Sequence, residues 1–425
     1  MLMHPLPANE NRLLSWARVR EFAVPPPMIE SATARRAAGD WAGACAAARV
    51  DVDVDLRATS RAHGAQLAAR VRADLRHLAP DLLRWHFPRI APDGLLRPGL
   101  TVALARYGDV QLVARTPPAW ADAGQRISLA LWSPTQRRAG LHPHPRPDRR
   151  YRLDLHRHLW DVRRTGELRE RSGRWPPDRT TEIPLPAGVG PCAVDRWMAE
   201  AALLPRAEGS AGALVSARLT SRHRLTLDLG GRDRLVLPDA ATWVLPDLEL
   251  LHAGLLSLDQ LHPLVASALR PGYRPRAAEN PDKARNSRLV DCRGATHRIG
   301  VVHGVLVPLD HDHGEIRREE LLGALGGPEL PCLRAIDEAH RSPENLVDVR
   351  ARLDHGDAAG ALAAVETLLG PDVLLRSGAL RDELETAVRR QVVHGLYRAG
   401  LARGGPLRST RDPSLRAHPR HATTR

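Results

Sequence analysis

Between Asn11 and Pro88 apolar residues recur at helical spacing: Leu67, Val71, Leu75 and Leu78 form one stripe, and Arg61, Arg70, Arg72 and Arg76 fall on other faces. Pro80 and Pro88 close the segment, because proline has no amide to give to a helix interior. From Gly99 the period changes to two. Thr101-Val102-Ala103-Leu104, Val110-Gln111-Leu112-Val113 and Ile127-Ser128-Leu129-Ala130-Leu131 predict three strands of a meander, the first pair joined by a Gly108-Asp109 turn. A second set is predicted at Ala213 to Leu219, Arg224 to Leu229 and Arg234 to Leu237, with Gly230-Gly231 turning between the last two. Asp247 and Glu249 read as the polar face of a strand or turn, and helical periodicity resumes from Leu256 to Leu269.

Further on, Ile299, Val301, Val302, Val305 and Val307 favour a pleated backbone, and His303-Gly304 supplies a tight hairpin turn. Asp312 stands three residues before Glu315 and just ahead of Ile316, Leu321, Leu322 and Leu325, the spacing of a capping box that opens an amphipathic helix closed by Gly326-Gly327. Short helical patterns continue to Gly400. The pattern therefore predicts an α+β protein. Its parts are a helical N-terminal segment (1–93), a central antiparallel β-rich domain (94–270), a proline-rich linker (271–287), a helical C-terminal domain with a small β-hairpin (288–403) and a disordered basic tail (404–425).

Composition narrows the setting. The chain has 425 residues, 43% hydrophobic against 26% charged, which describes globular material with room for two or three domains. Cys45, Cys192, Cys292 and Cys332 are too few and too dispersed for a secreted disulfide framework and point to a reducing cytoplasm. No secretory signal is readable at Met1 to Glu10, and the most apolar stretch, Ala241 to Leu269, is interrupted by Pro246, Asp247, Glu249, His252, Asp259 and His262. A soluble protein with no membrane partner is expected. The net charge of +13 rests on arginine, Lys283 being the lone lysine, a bias that fits a high-GC bacterial genome and weakens charge as an argument for a polyanionic partner.

Two constellations could carry chemistry. Cys292 and His297, with His311 or His313 at the helix entry and Cys332 beyond it, offer the thiolate and imidazole mixture that zinc takes in tetrahedral geometry. The alternative is a buried cysteine packed as a small hydrophobe, with histidines on a solvated turn. In the most basic stretch, Arg146, Arg149, Arg150, Arg152, Arg157, Arg163 and Arg164 interleave with Tyr151 and Trp160, which could contact phosphates and stack on bases. The alternative there is an arginine-coated surface.

Gly39-Asp40-Trp41-Ala42-Gly43-Ala44 and Gly356-Asp357-Ala358-Ala359-Gly360-Ala361 echo one another, each between helical patterns. Both resemble the inter-helix turn of tetratricopeptide repeats over about ten residues, without the tandem period of about 34 that an array requires. Ile336-Asp337-Glu338-Ala339-His340 resembles the acidic box of helicase-type ATPases, yet no phosphate-cradling loop accompanies it, so Asp337 and Glu338 read as solvated helix positions. Metalloprotease, nucleophile-elbow and dinucleotide signatures are missing. The leading expectation is a cytoplasmic, non-enzymatic protein that docks protein partners through helical hairpins. The alternatives are nucleic-acid binding through the central arginines and a zinc-stabilised module or metalloenzyme centred on Cys292.

Overall fold

The computed structural model describes residues 8–135, 142–172, 189–273, 287–292, 294–328, 330–371 and 373–402. The fold is α+β, with helices and several small sheets. It divides into two compact units, one formed by Met1–Arg276 with Leu396–Arg425 and the other by Ala277–Gly395. The expected linker, apart from 271–273 and 287, and the expected tail lie outside the described residues.

In the first unit the predicted meander forms three strands of a four-stranded sheet: Thr101–Tyr107, Val110–Arg115 and Ile127–Trp132 run antiparallel in sequence order. The fourth is Val50–Val52, parallel to Ile127–Trp132 at the edge, inside the segment expected to be wholly helical. Three residues between helices are too few to show a period of two, so this strand had no pattern of its own. Helix Ala65–Arg76 turns the predicted stripe inward: Val71, Leu75 and Leu78 are buried in a core shared with Val102, Leu104, Leu112 and Ile127 of the sheet. Residues of 1–93 and of 94–270 thus contribute to one hydrophobic core.

The second strand set forms a sheet with one departure. Arg224–Asp228 and Asp233–Val236 do not pair as a hairpin; they flank Ala213–Arg218, antiparallel on one side and parallel on the other. The glycines serve a crossing rather than a hairpin turn: a Cβ on Gly231 would lie 2.1 Å from the Gly212 carbonyl carbon, and one on Gly212 would lie 2.6 Å from the Leu229 oxygen. Asp247 and Glu249 also depart from expectation. They lie buried on helix Pro246–His252, whose Pro246 at the first turn fixes the helical start despite the alternating leucines.

The second unit carries an antiparallel sheet of Ser287–Cys292, Ala295–Val302 and Val305–Pro308. His303 and Gly304 both have positive φ, 49° and 80°, as a two-residue type I′ turn requires. One face of the sheet packs Cys292, Ile299 and Leu306 against Cys332, Ile336 and Ala339 of helix Pro331–Arg341, with Val349, Leu353, Ala361, Val365 and Leu369 from helices Leu346–His355 and Ala358–Leu369 in the same core. None of the nine tryptophans, four tyrosines or two phenylalanines of the chain falls in 277–395. This core is therefore built from small and aliphatic side chains.

The two sequence echoes adopt matching corners, one in each unit. Asp40 accepts from Gly43 N at 2.8 Å and from Arg35 Nη1 at 3.0 Å, between helices Pro26–Ala37 and Trp41–Ala47. Asp357 accepts from Gly360 N at 3.1 Å and from Arg352 Nη1 at 2.9 Å, between Leu346–His355 and Ala358–Leu369. In both, a glycine with positive φ ends the first helix and the aspartate caps the second. Among the described residues no helix is long and apolar enough to cross a membrane.

Candidate metal centre

Cys292 lies opposite Ala295 across the antiparallel pair, and His297 is two residues further along the same strand, so both side chains emerge on one face as diagonal neighbours. The chain leaving Val305–Pro308 is pinned beside them. Leu309 N donates to Arg298 O at 2.8 Å, and Asp310 accepts from Arg298 N at 2.7 Å while pairing with its guanidinium. The Arg298 hydrogen bonds bring the Asp310 carboxyl down to about 2. This clamp delivers His311 to the same face as His297. Cys332 arrives from the opposite side, in the first turn of a helix whose start is set by Pro331.

One ligand atom from each of Cys292, His297, His311 and Cys332 lies within 4.8 Å of every other, a cluster that could hold a metal ion. His297 Nδ1 and His311 Nε2 are 2.6 Å apart, with the rings edge to face. Cys292 and Cys332 are 1% and 0% exposed, and the His311 side chain 3%. Burial, together with the neighbouring Cys292 thiol, pushes the Cys332 thiol up to about 12, an arrangement that a cation between the two sulfurs would reverse. On the far side of His311, Nδ1 faces Glu315 Oε2 at 3.2 Å. That contact corrects the expected capping box: Asp312 does cap the helix His313–Ala324 through Gly314 N at 3.0 Å, but Glu315 is turned to the imidazole. A carboxylate on the outer nitrogen of a histidine is the usual support for a metal ligand, fixing its tautomer and ring plane. The His313 side chain lies outside the described residues.

The donor set is two thiols and two imidazoles, the mixture tetrahedral zinc takes in structural sites. Zn–S distances of about 2.3 Å and Zn–N of about 2.0 Å require ligand atoms roughly 3–4 Å apart, so the cluster needs only small side-chain adjustments.

The arginine stretch is arranged differently. Tyr151 and Trp160 are buried, at 8% and 0% exposure, and Trp160 Nε1 donates to Leu153 O at 2.9 Å, so neither ring presents a stacking face to solvent. Arg152 pairs with Asp154 and Glu208, Arg150 with Asp239 and Arg164 with Glu167. Arg157 and Arg163 both pair with Asp74 and Asp161. Arg146 and Arg149 are exposed. Among the described residues, five of the seven named arginines are thus engaged in ion pairs.

Three further polar groupings are buried in the first unit. Asp81 accepts from His262 Nε2 at 2.8 Å, both fully buried. Asp247 takes Trp85 Nε1 at 2.8 Å and His86 Nε2 at 3.1 Å. Arg12 forks onto Glu249. Their partners are 161 to 237 residues apart in sequence, so no local spacing announces them. No protein-family model matches the chain, and neither a curated protein nor a solved structure matches it.

Proposed function

We propose that Ala277–Gly395 is a zinc-stabilised module with a non-catalytic role, docking a protein partner rather than turning over a substrate. The observation that carries this reading is the convergence of Cys292, His297, His311 and Cys332, two thiols and two imidazoles within mutual reach. Four side-chain ligands complete a tetrahedral shell, which leaves no position for the activated water or substrate of a catalytic zinc. The composition of the unit supports the same conclusion. Aromatic rings bury roughly 150–250 Å² each, and a core without them gains from a metal cross-link. Two reduced, buried thiols suit a reducing cytoplasm.

Cobalt substitution tests the reading. The purified protein, stripped and reloaded with Co²⁺, is expected to show the intense visible bands of tetrahedral cobalt with thiolate charge transfer, displaced by one equivalent of zinc. Cys292→Ser and Cys332→Ser should each weaken both features. A weak octahedral cobalt spectrum, unaltered in the two variants, would refute the proposal.

A further inference from the structure

In the first unit, helix Ala8–Arg18, the segment 86–97, the segment 150–153 and the segment 239–249 meet around a cleft of about 110 Å³. At about 30 Å³ per water that is room for roughly four waters, or for little more than one small ring, and far less than a nucleic-acid strand needs. Its apolar lining includes Trp16, Phe87, Tyr151 and Trp243. Its polar lining is dominated by arginine, and the charges do not balance. Arg12 is matched by Glu249, Arg150 by Asp239, and Arg152 by Asp154 and Glu208. Arg89 is buried and, among the described residues, bonds only carbonyls, those of Gly94 and Arg84 at 2.8 and 2.7 Å, while its Nε has no partner there. Burial in the absence of a carboxylate brings Arg89 down to about 9. Arg97, half-buried at the rim, makes no side-chain hydrogen bond or ion pair among the described residues.

The free donors are concentrated around Tyr151. Arg150 spends its Nε on Asp239 at 2.6 Å and lies 5.3 Å from the Tyr151 ring centroid, leaving both terminal nitrogens without a hydrogen bond among the described residues. The Tyr151 hydroxyl feels the charges of both Arg150 and Arg97, and it too has no hydrogen-bond partner there.

We propose that this cleft binds a small organic oxyanion, a carboxylate or phosphate on a flat apolar body, clamped by Arg97 and Arg150 with the Tyr151 hydroxyl as a further donor. Guanidinium forks match both oxyanions in bidentate fashion, and the surrounding rings supply the contact surface for the apolar body. Such an occupant would offset the positive charge that the cleft's own carboxylates leave over. This site is independent of the metal centre, whose ligands all lie in the other unit.

The test is a titration of the full-length protein with phenyl phosphate, with benzoate and with neutral benzamide, followed by tryptophan fluorescence and by thermal shift. Trp16 and Trp243 line the cleft and report occupancy. One or both anions should bind saturably, the stronger naming the headgroup, and benzamide should not. Arg97→Gln should weaken binding about tenfold or more, since it removes charged hydrogen bonds. It should leave the unliganded melting temperature unchanged, because Arg97 has no side-chain partner among the described residues to lose. Arg97→Lys should recover part of the affinity, and Arg149→Gln, on an exposed residue outside the lining, should bind like wild type. Failure of both anions to bind, or full affinity in Arg97→Gln, would overturn the proposal. So would an oligonucleotide that binds while phenyl phosphate does not, since that would indicate an extended polyanion surface.

Discussion

Arg157 was a candidate phosphate contact, and its surroundings predict a structural phenotype instead. Its Nη2 donates to Asp74 Oδ1 at 2.5 Å and to Asp161 Oδ2 at 2.7 Å, its Nε to Asp161 Oδ2 at 3.0 Å, and its Nη1 to Asp74 Oδ2 at 3.3 Å. The two carboxylates are 9% and 1% exposed, and Asp74 also accepts from Tyr107 Oη at 2.6 Å. Removing one partner of a buried pair usually costs about 3–5 kcal/mol because a charge is left alone. Here Arg163 still reaches both carboxylates, at 2.6 and 2.8 Å, so Arg157→Gln should cost less, about 2–3 kcal/mol. Arg157→Glu sets a third carboxylate between two and should cost more. For a unit of this size the glutamine variant should melt roughly 4–6 °C lower. Tryptophan fluorescence is the right readout, because all nine tryptophans lie outside 277–395 and report only the first unit. The exposed Arg149→Gln should stay within about 0.5 kcal/mol of wild type. An Arg157→Gln protein that melts like wild type, or an Arg149→Gln protein that melts lower, would refute this reasoning.

Three other outcomes are expected. Burial opposes ionisation of Glu200, but the His156 imidazole facing it at 3.3 Å and the hydrogen bonds from Arg171 prevail and bring it down to about 2. A depressed folded value stabilises above the unfolded value and is lost as pH falls, so the first unit should weaken between about pH 4.5 and 2, and Glu200→Gln should flatten that fall in an acid titration of tryptophan fluorescence. His262→Ala deletes the Nε2 donor to Asp81 and the Nδ1 acceptor that caps Leu264 N at 3.2 Å; a loss of about 3 kcal/mol or more in urea unfolding is expected, and a neutral result would show that the pair contributes little. Glu315→Gln should lower zinc affinity about tenfold or more in a competition titration with a chromogenic chelator while the helix His313–Ala324 persists, since Asp312 keeps its cap.

The convergence of Cys292, His297, His311 and Cys332 was readable because the elements that carry them announce themselves locally. The β-branched run, the His303-Gly304 turn and Pro331 place a strand pair and a helix start, and pleat alternation alone puts Cys292 and His297 on one face. The corner turns at Asp40 and Asp357 were legible for the same reason, being closed by residues within five positions. What depends on distant partners was not. Glu315 has the spacing of a capping residue, and only the approach of His311 shows why it turns away. Leu245-Pro246-Asp247-Leu248-Glu249-Leu250 alternates like a strand, yet the proline starts a helix whose acids are claimed by Trp85, His86 and Arg12. Val50–Val52 borrows its strand character from a neighbour 77 positions away, where Val50 pairs with Ile127. In the arginine-rich stretch the carboxylate partners of Arg150, Arg152, Arg157 and Arg163, most of them distant in sequence, were not legible, because composition counts charges without their partners.

The zinc reading is tested most directly by removing the metal and following the two units separately. The metal content of the purified protein is measured first, then far-ultraviolet circular dichroism and tryptophan fluorescence are recorded together during titration with a strong chelator. One zinc per chain and a loss of helical signal on chelation are expected, because binding free energy of a structural zinc is folding free energy for the unit that holds it. Tryptophan emission should stay unchanged, since that unit has no tryptophan. Readdition of zinc should restore the dichroism, and Cys332→Ser should start from the chelated state. A protein purified without stoichiometric metal, whose dichroism is indifferent to chelator and to added zinc, would show that Cys292, His297, His311 and Cys332 hold no structural metal.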